Sequence, residues 1–129
     1  MTSRFATRFV AAVGLLSAVA LPALAHHSTV MFAKDQEVKL TGTVTQFSYT
    51  NPHAFIGIMV PRPEGSPVEW RIATEASVVL DRTGIEQGAL QPGEQVTVRA
   101  HPLKSGRPGG WLIDVTKADG TVLDPDEND

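Results

Sequence analysis

Chemistry in this chain must come from few side chains: there are four histidines, His26, His27, His53 and His101, and no cysteine. Thiolate metal sites and disulfide frameworks are excluded at once. His26 and His27 are adjacent, and they follow Ala23-Leu24-Ala25, a small-residue pattern of the kind a signal peptidase reads. Cleavage after Ala25 makes His26 the first residue of the mature chain. Its α-amine and ring nitrogen then chelate one metal ion. A second imidazole from elsewhere completes a roughly planar, three-nitrogen site, which suits copper(II) best among the common divalent ions. His27 offers another planar arrangement, through the free amine, the following backbone amide and its own imidazole.

His53 follows Asn51-Pro52, a turn signal. It is read as a loop ligand for the same copper(II) ion, against the alternative of a ring that hydrogen-bonds the backbone to fix the turn. His101, just before Pro102, is a reserve ligand; the alternative is an exposed loop histidine. Met59, Trp70 and Trp111 are expected to fill the core rather than to form a stacking or soft-metal platform. No G-x-S-x-G elbow, H-E-x-x-H pair or Gly-rich phosphate loop is present. A three-histidine zinc site with bound water is conceivable chemistry, but no general base stands beside it. The expectation is a binding protein rather than an enzyme, with a zinc hydrolase as the remote alternative.

The elements that must position these residues begin after an address. Residues 1–25 read as a secretory signal peptide: Arg4 and Arg8 precede an apolar run from Phe9 to Ala20, and Pro22 breaks it. The run is short for a membrane span, and no twin-arginine pair is present. General secretion to the periplasm follows, with no membrane anchor once the signal is cleaved. Residues 26–35 form a leader without periodicity, residues 36–123 a folded domain, and residues 124–129 an acidic disordered tail. The net charge of the whole chain is −3. Loss of Arg4 and Arg8 makes the mature chain more acidic still, and the tail carries most of that excess.

Within the domain the apolar pattern has period two. Val38, Leu40, Gly42 and Val44 alternate with polar residues, and Gly42 suggests a bend or bulge. Phe55 to Val60 forms a second strand, and Val68, Trp70 and Ile72 mark a third. The pattern then breaks: Ala76 to Arg82 predicts one short helix, with Thr74 as N-cap and Gly84 past its end. Val96, Val98 and Ala100 mark a fourth strand; Trp111, Ile113 and Val115 mark a fifth. The class is mostly β, and the order predicts a small five-stranded OB-like Greek-key barrel with one short helix between strands three and four. In such a barrel the loops holding His53 and His101 share one ligand rim. Its partner is an unknown protein or small ligand, with copper(II) as the candidate cofactor. Nucleic acid is expected to be excluded, because the chain is exported, net acidic and poor in aromatics for stacking.

Six segments carry a family resemblance: His26-His27-Ser28, the strand Leu40-Thr41-Gly42-Thr43-Val44, Asn51-Pro52-His53, Trp70 with Glu75 and Ser77, Leu80 with Arg82 and Gly84, and Leu90-Gln91-Pro92-Gly93-Glu94. In this order they resemble a family of small exported bacterial proteins known only as a domain of unknown function. The resemblance implies export and a small β-rich domain and no established activity. One departure is local: Phe32 is followed by Ala33-Lys34, where an acidic residue commonly stands.

Overall fold

Alternation of β-branched and polar residues builds most of this molecule, a computed structural model that describes residues 29–126. The strands are β1 (Val38–Ser48), β2 (Phe55–Val60), β3 (Val68–Ala73), β4 (Gln95–Pro102), β5 (Gly109–Lys117) and β6 (Val122–Leu123). A single turn of helix, α1 (Ser77–Leu80), runs into a 3₁₀ turn, Asp81–Thr83, between β3 and β4. The signal segment, His26, His27 and residues 127–129 lie outside the described residues.

β1 is long enough to serve two neighbours. Its first half pairs antiparallel with β4, from Val38↔Ala100 to Thr43↔Gln95. Its second half pairs antiparallel with β2, as far as Ser48↔Phe55. β2 continues to β3, and β4 to β5. Three parallel pairs, Arg71↔Gly109, Ile72↔Gly110 and Ala73↔Trp111, then join β3 to β5. That seam closes the sheet into a five-stranded barrel with a helix between strands three and four, the OB arrangement, and removes most of the exposed edge. β6 adds only a short hairpin to β5.

The barrel interior is aliphatic. Val44, Ile56, Ile58, Ile72, Val96, Val98, Leu112 and Val115 are all buried in one cluster, with Trp70 packed partly against it. The predicted inward faces of β3 and β4 hold. On β5 the inward set differs from the sequence reading. The pairing skips from Asp114, opposite Arg99, to Leu112, opposite Ala100, so Ile113 is an extra residue on β5. One extra residue moves everything beyond it to the other face. Leu112 and Val115 are therefore buried, while Trp111 and Ile113 are only half-buried. Asp114 stays on the outer ladder and accepts from Arg99 Nε at 2.9 Å. That contact, with Glu37 beyond it, holds the guanidinium above its ordinary pKa.

β1 also has a bulge, at Thr45 between Val44↔Ile58 and Gln46↔Gly57, rather than at Gly42. Gly42 answers a different need: a Cβ there would collide with the Met59 carbonyl.

The helical segment plugs the barrel. Leu80 and Ile85 are buried with Ala54 in a second cluster, flanked by Phe47, Tyr49, Ala89 and Leu123. Gly84 ends the turn at φ 79°, as its position predicts. The Ile85 N–H donates back to Leu80 O at 3.0 Å and the Gly84 N–H to Asp81 O at 3.2 Å, which is a Schellman closure. The start differs from the prediction. The helix begins after Ala76 with no side-chain cap, and Thr74 is buried with its Oγ1 unpartnered. The β1–β2 loop takes over the capping task, since the Ser77 N–H donates to Thr50 O at 3.1 Å. Tyr49 ties the same loop to the plug. Around its one hydroxyl proton stand three acceptors: Asp81 Oδ1 at 2.5 Å, Ile85 O at 2.8 Å and Ser77 O at 3.1 Å.

At the far end of the chain Pro125 is buried, and the Asp126 N–H donates to Asp124 Oδ1 at 2.8 Å.

Candidate functional site

The site is built where three chain segments meet the β3–β5 seam. The first is the β1–β2 loop. It turns through a cis Asn51–Pro52 peptide and is anchored by Ser77 Oγ, which reaches Asn51 Oδ1 at 3.1 Å, and by Thr50 Oγ1, which donates to His53 O at 3.1 Å. These bonds leave the His53 ring free of the loop's own backbone. Its Nδ1 is buried and, among the described residues, has no hydrogen-bond partner. The ring instead stands edge-on to Trp111, with centroids 5.5 Å apart at 82°.

The second segment is the start of β5. Gly109 and Gly110 precede Trp111, and each sits where a side chain would collide. A Cβ on Gly110 would lie 2.7 Å from the His101 carbonyl oxygen, and one on Gly109 would lie 2.7 Å from Leu103 Cδ1. The glycines let β5 pass close between β3 and β4, and Trp111 is then presented outward beside His53. The expectation that Trp111 fills the core is thus corrected by the bulge at Ile113. Its direct cross-strand partner on β4 is His101, and directly opposed residues emerge on the same face. His101 is half-buried and in the strand rather than in the loop. Its Nδ1 lies 2.7 Å from Gln36 O, so the carbonyl fixes that nitrogen as the donor. In the neutral ring Nε2 then carries the lone pair, an arrangement common among metal-binding histidines.

The third segment is the leader, whose placement no periodicity announced. Phe32 bridges to Leu103, Ala33 N–H donates to Pro102 O at 2.8 Å, and Lys104 N–H donates to Met31 O at 2.9 Å. The leader is an extra strand-like strip on the loop after β4. Phe32 is buried, and its ring packs on Trp111 at 5.7 Å. Trp111 is therefore the hub of the rim, touching Phe32 and His53 and paired with His101.

Of the four candidate ligands, His53 and His101 are brought to this one tryptophan, while His26 and His27 lie outside the described residues. Among the described residues no group of three or more His, Cys, Asp or Glu is placed to hold a metal ion. The sequence reading missed Trp111, Phe32 and the cation Arg71, whose guanidinium carbon lies 3.6 Å from the Phe55 ring centroid. The pair Gly109-Gly110 was the available signal for Trp111, because paired glycines at a strand start mark a close backbone approach. Among the described residues no helix is long and apolar enough to cross a membrane.

Comparison with known proteins adds three findings. The family DUF6152, described as a family of unknown function, matches residues 13–114. No curated protein matches the chain. Among solved structures the chain is similar to the mitochondrial single-stranded DNA-binding protein Rim1 of S. cerevisiae, with 14% identity, a TM-score of 0.47, and coverage of 69% of this chain and 94% of that one. That protein binds single-stranded DNA, and this overturns the expectation that nucleic acid is excluded as a partner. At this identity and score the likeness carries no ligand over to the present chain.

Proposed function

The chain belongs to the DUF6152 family, a family of unknown function, and on that footing we propose that it is an exported periplasmic β-barrel binding protein that holds copper(II). The signal segment 1–25 delivers it and exposes His26 as the new N-terminus. His26 and His27 supply the amine and imidazole nitrogens, and His53 supplies the loop imidazole. His101 stands in reserve through Nε2. The reading is of a binding module rather than an enzyme.

One observation carries this reading: the Nδ1 of His53 is buried without a partner on the tryptophan that the leader itself packs against. A buried ring nitrogen without a partner is costly, and such groups call for an explanation beyond packing. Coordination supplies one. The leader's docking supports the other half of the site. Four residues, Ser28 to Met31, separate His27 from Phe32, and an extended chain covers about 3.5 Å per residue. The N-terminal nitrogens are thus tethered within reach of the rim by a short piece of chain.

The test is a copper(II) titration of the mature protein with an authentic His26 N-terminus, read by electron paramagnetic resonance beside a version carrying one extra residue ahead of His26. A one-to-one, nitrogen-rich signal that the extension abolishes is expected, with His53→Ala weakening affinity at least tenfold. Binding without defined stoichiometry, or binding indifferent to the extension, sinks the copper reading and leaves a metal-free module for a protein or small ligand.

A further inference from the structure

Beside Phe32 the seam opens into a cleft of about 330 Å³ whose lining includes neither His53 nor Trp111. We propose that this cleft binds a small monocarboxylate with an apolar body, an aryl or medium-chain acyl acid, and that Arg71 and Arg107 take its carboxylate. The inference is independent of copper.

The walls are apolar: Met31 and Phe32 from the leader, Leu103 and Pro108 from the loop after β4. They are held in place before any ligand arrives. The backbone bonds between Met31 and Lys104 and between Ala33 and Pro102 fix the leader to the loop, and the Arg71 N–H donates to Pro108 O at 3.3 Å. Gly109 and Gly110 leave the floor without side chains. The volume lies at the small end of the range for ligand pockets.

Charge selects the class. Among the described residues Arg99 and Lys117 are paired with carboxylates, but no acidic side chain lies within ion-pair distance of Arg71 or Arg107. Arg71 is flattened over the Phe55 ring. A guanidinium stacked by its face keeps its edge of N–H donors free, which is the geometry that takes a carboxylate through two parallel hydrogen bonds. Two cations without an acidic partner among the described residues, both lining an apolar cleft, match a ligand that is anionic at one end and apolar at the other. Met31, 53% exposed at the opening, gives one wall a flexible, polarizable side chain that accommodates differing apolar bodies.

The probes are octanoate and 4-phenylbutanoate, titrated by calorimetry into the full mature protein in the presence of a chelator, so that failure of the copper site leaves this result untouched. The neutral controls are octanamide and 4-phenylbutanamide. Saturable one-to-one binding of the acids is expected, with the amides at least tenfold weaker. Arg71→Gln and Arg107→Gln should each weaken the acids at least tenfold. Arg107 is on an exposed loop, so its variant keeps the fold and the test remains decisive if Arg71→Gln does not. Equal binding of acid and amide overturns the proposal, as does an absence of saturable binding at millimolar ligand. So does wild-type affinity in Arg107→Gln. Arginine-dependent capture of a single-stranded oligonucleotide, or self-association through this face, in place of carboxylate binding would overturn it equally.

Discussion

The β1–β2 loop has two polar aromatic side chains on its flanks, and they are treated in opposite ways. Tyr49, where the loop leaves β1, has three oxygen acceptors around one hydroxyl and packs against the plug of Leu80 and Ile85. His53, four residues on, has a buried ring nitrogen with none. The Tyr49 side closes most of the accounts that burial opens, with Thr74 Oγ1 as the exception: the helix end is returned to backbone partners, and the helix start is capped by the loop. The seam side keeps several open, in the His53 Nδ1, in Arg71 and Arg107 without acids, and in the exposed Met31. A small barrel can tolerate a few such costs only if the rest of the structure is secure. The difference separates the half of the loop that holds the fold from the half that is available for binding.

The strongest way to break this comparison is to weaken the plug. Leu80 is 1% exposed, and Leu80→Ala should destabilise the fold by about 2–5 kcal/mol in urea unfolding. Copper stoichiometry in the surviving folded protein should be unchanged. A loss under about 1 kcal/mol, on the same scale, would mean that the helix is an ornament on the barrel.

A smaller effect is expected at Tyr49. Tyr49→Phe should cost about 1.5–3 kcal/mol near neutral pH, the scale of a hydrogen bond to a charged group. The pH dependence has a definite sign. Burial, and then the Asp81 carboxylate, push the Tyr49 hydroxyl up to about 12, above the unfolded reference near 10. The folded state therefore holds this proton more tightly. Its contribution is whole below about pH 10 and drains away as the pH rises through 12. Urea midpoints of wild type and Tyr49→Phe should approach one another over that alkaline window. Parallel curves would remove Tyr49 from the plug's network.

The smallest change sharpens the comparison most. His53→Phe keeps a ring beside Trp111 and removes the unpartnered nitrogen. It should raise the stability of the metal-free protein by about 1 kcal/mol, the low end of the cost of an unmet buried polar group, while abolishing loop participation in copper binding. A loss of stability instead would place His53 with Tyr49, as a side chain serving the fold.

Period-two alternation made β1, β3 and β4 legible in the sequence, and strand order alone pointed to the barrel. Gly84 was legible because few other residues reach φ near +80° without strain. Thr74 misled as a helix cap because the loop backbone at Thr50 does that work, and a backbone acceptor leaves no trace in residue type. The bulge at Ile113 was equally silent: nothing in Trp-Leu-Ile-Asp-Val says which residue is extra, so Trp111 was read inward. His53 was legible from residue type and turn context. Phe32 and Arg71 were not, since their importance comes from neighbours distant in sequence, Trp111 and Leu103 for the first and Phe55 for the second. The leader lacks alternation because it pairs with a loop through only a few bonds.

That pairing sets an order of assembly. Phe32 meets Leu103 about seventy residues downstream, so the strip synthesised early has to wait for nearly the whole barrel before it finds its place. Contacts between distant segments form only after the intervening chain has paid its closure entropy. Chains interrupted before the loop following β4 can fold a partial sheet but cannot seat Phe32 on Trp111. The rim is therefore a late part of the molecule to be completed, and its formation reports that the chain through the start of β5 has already arrived.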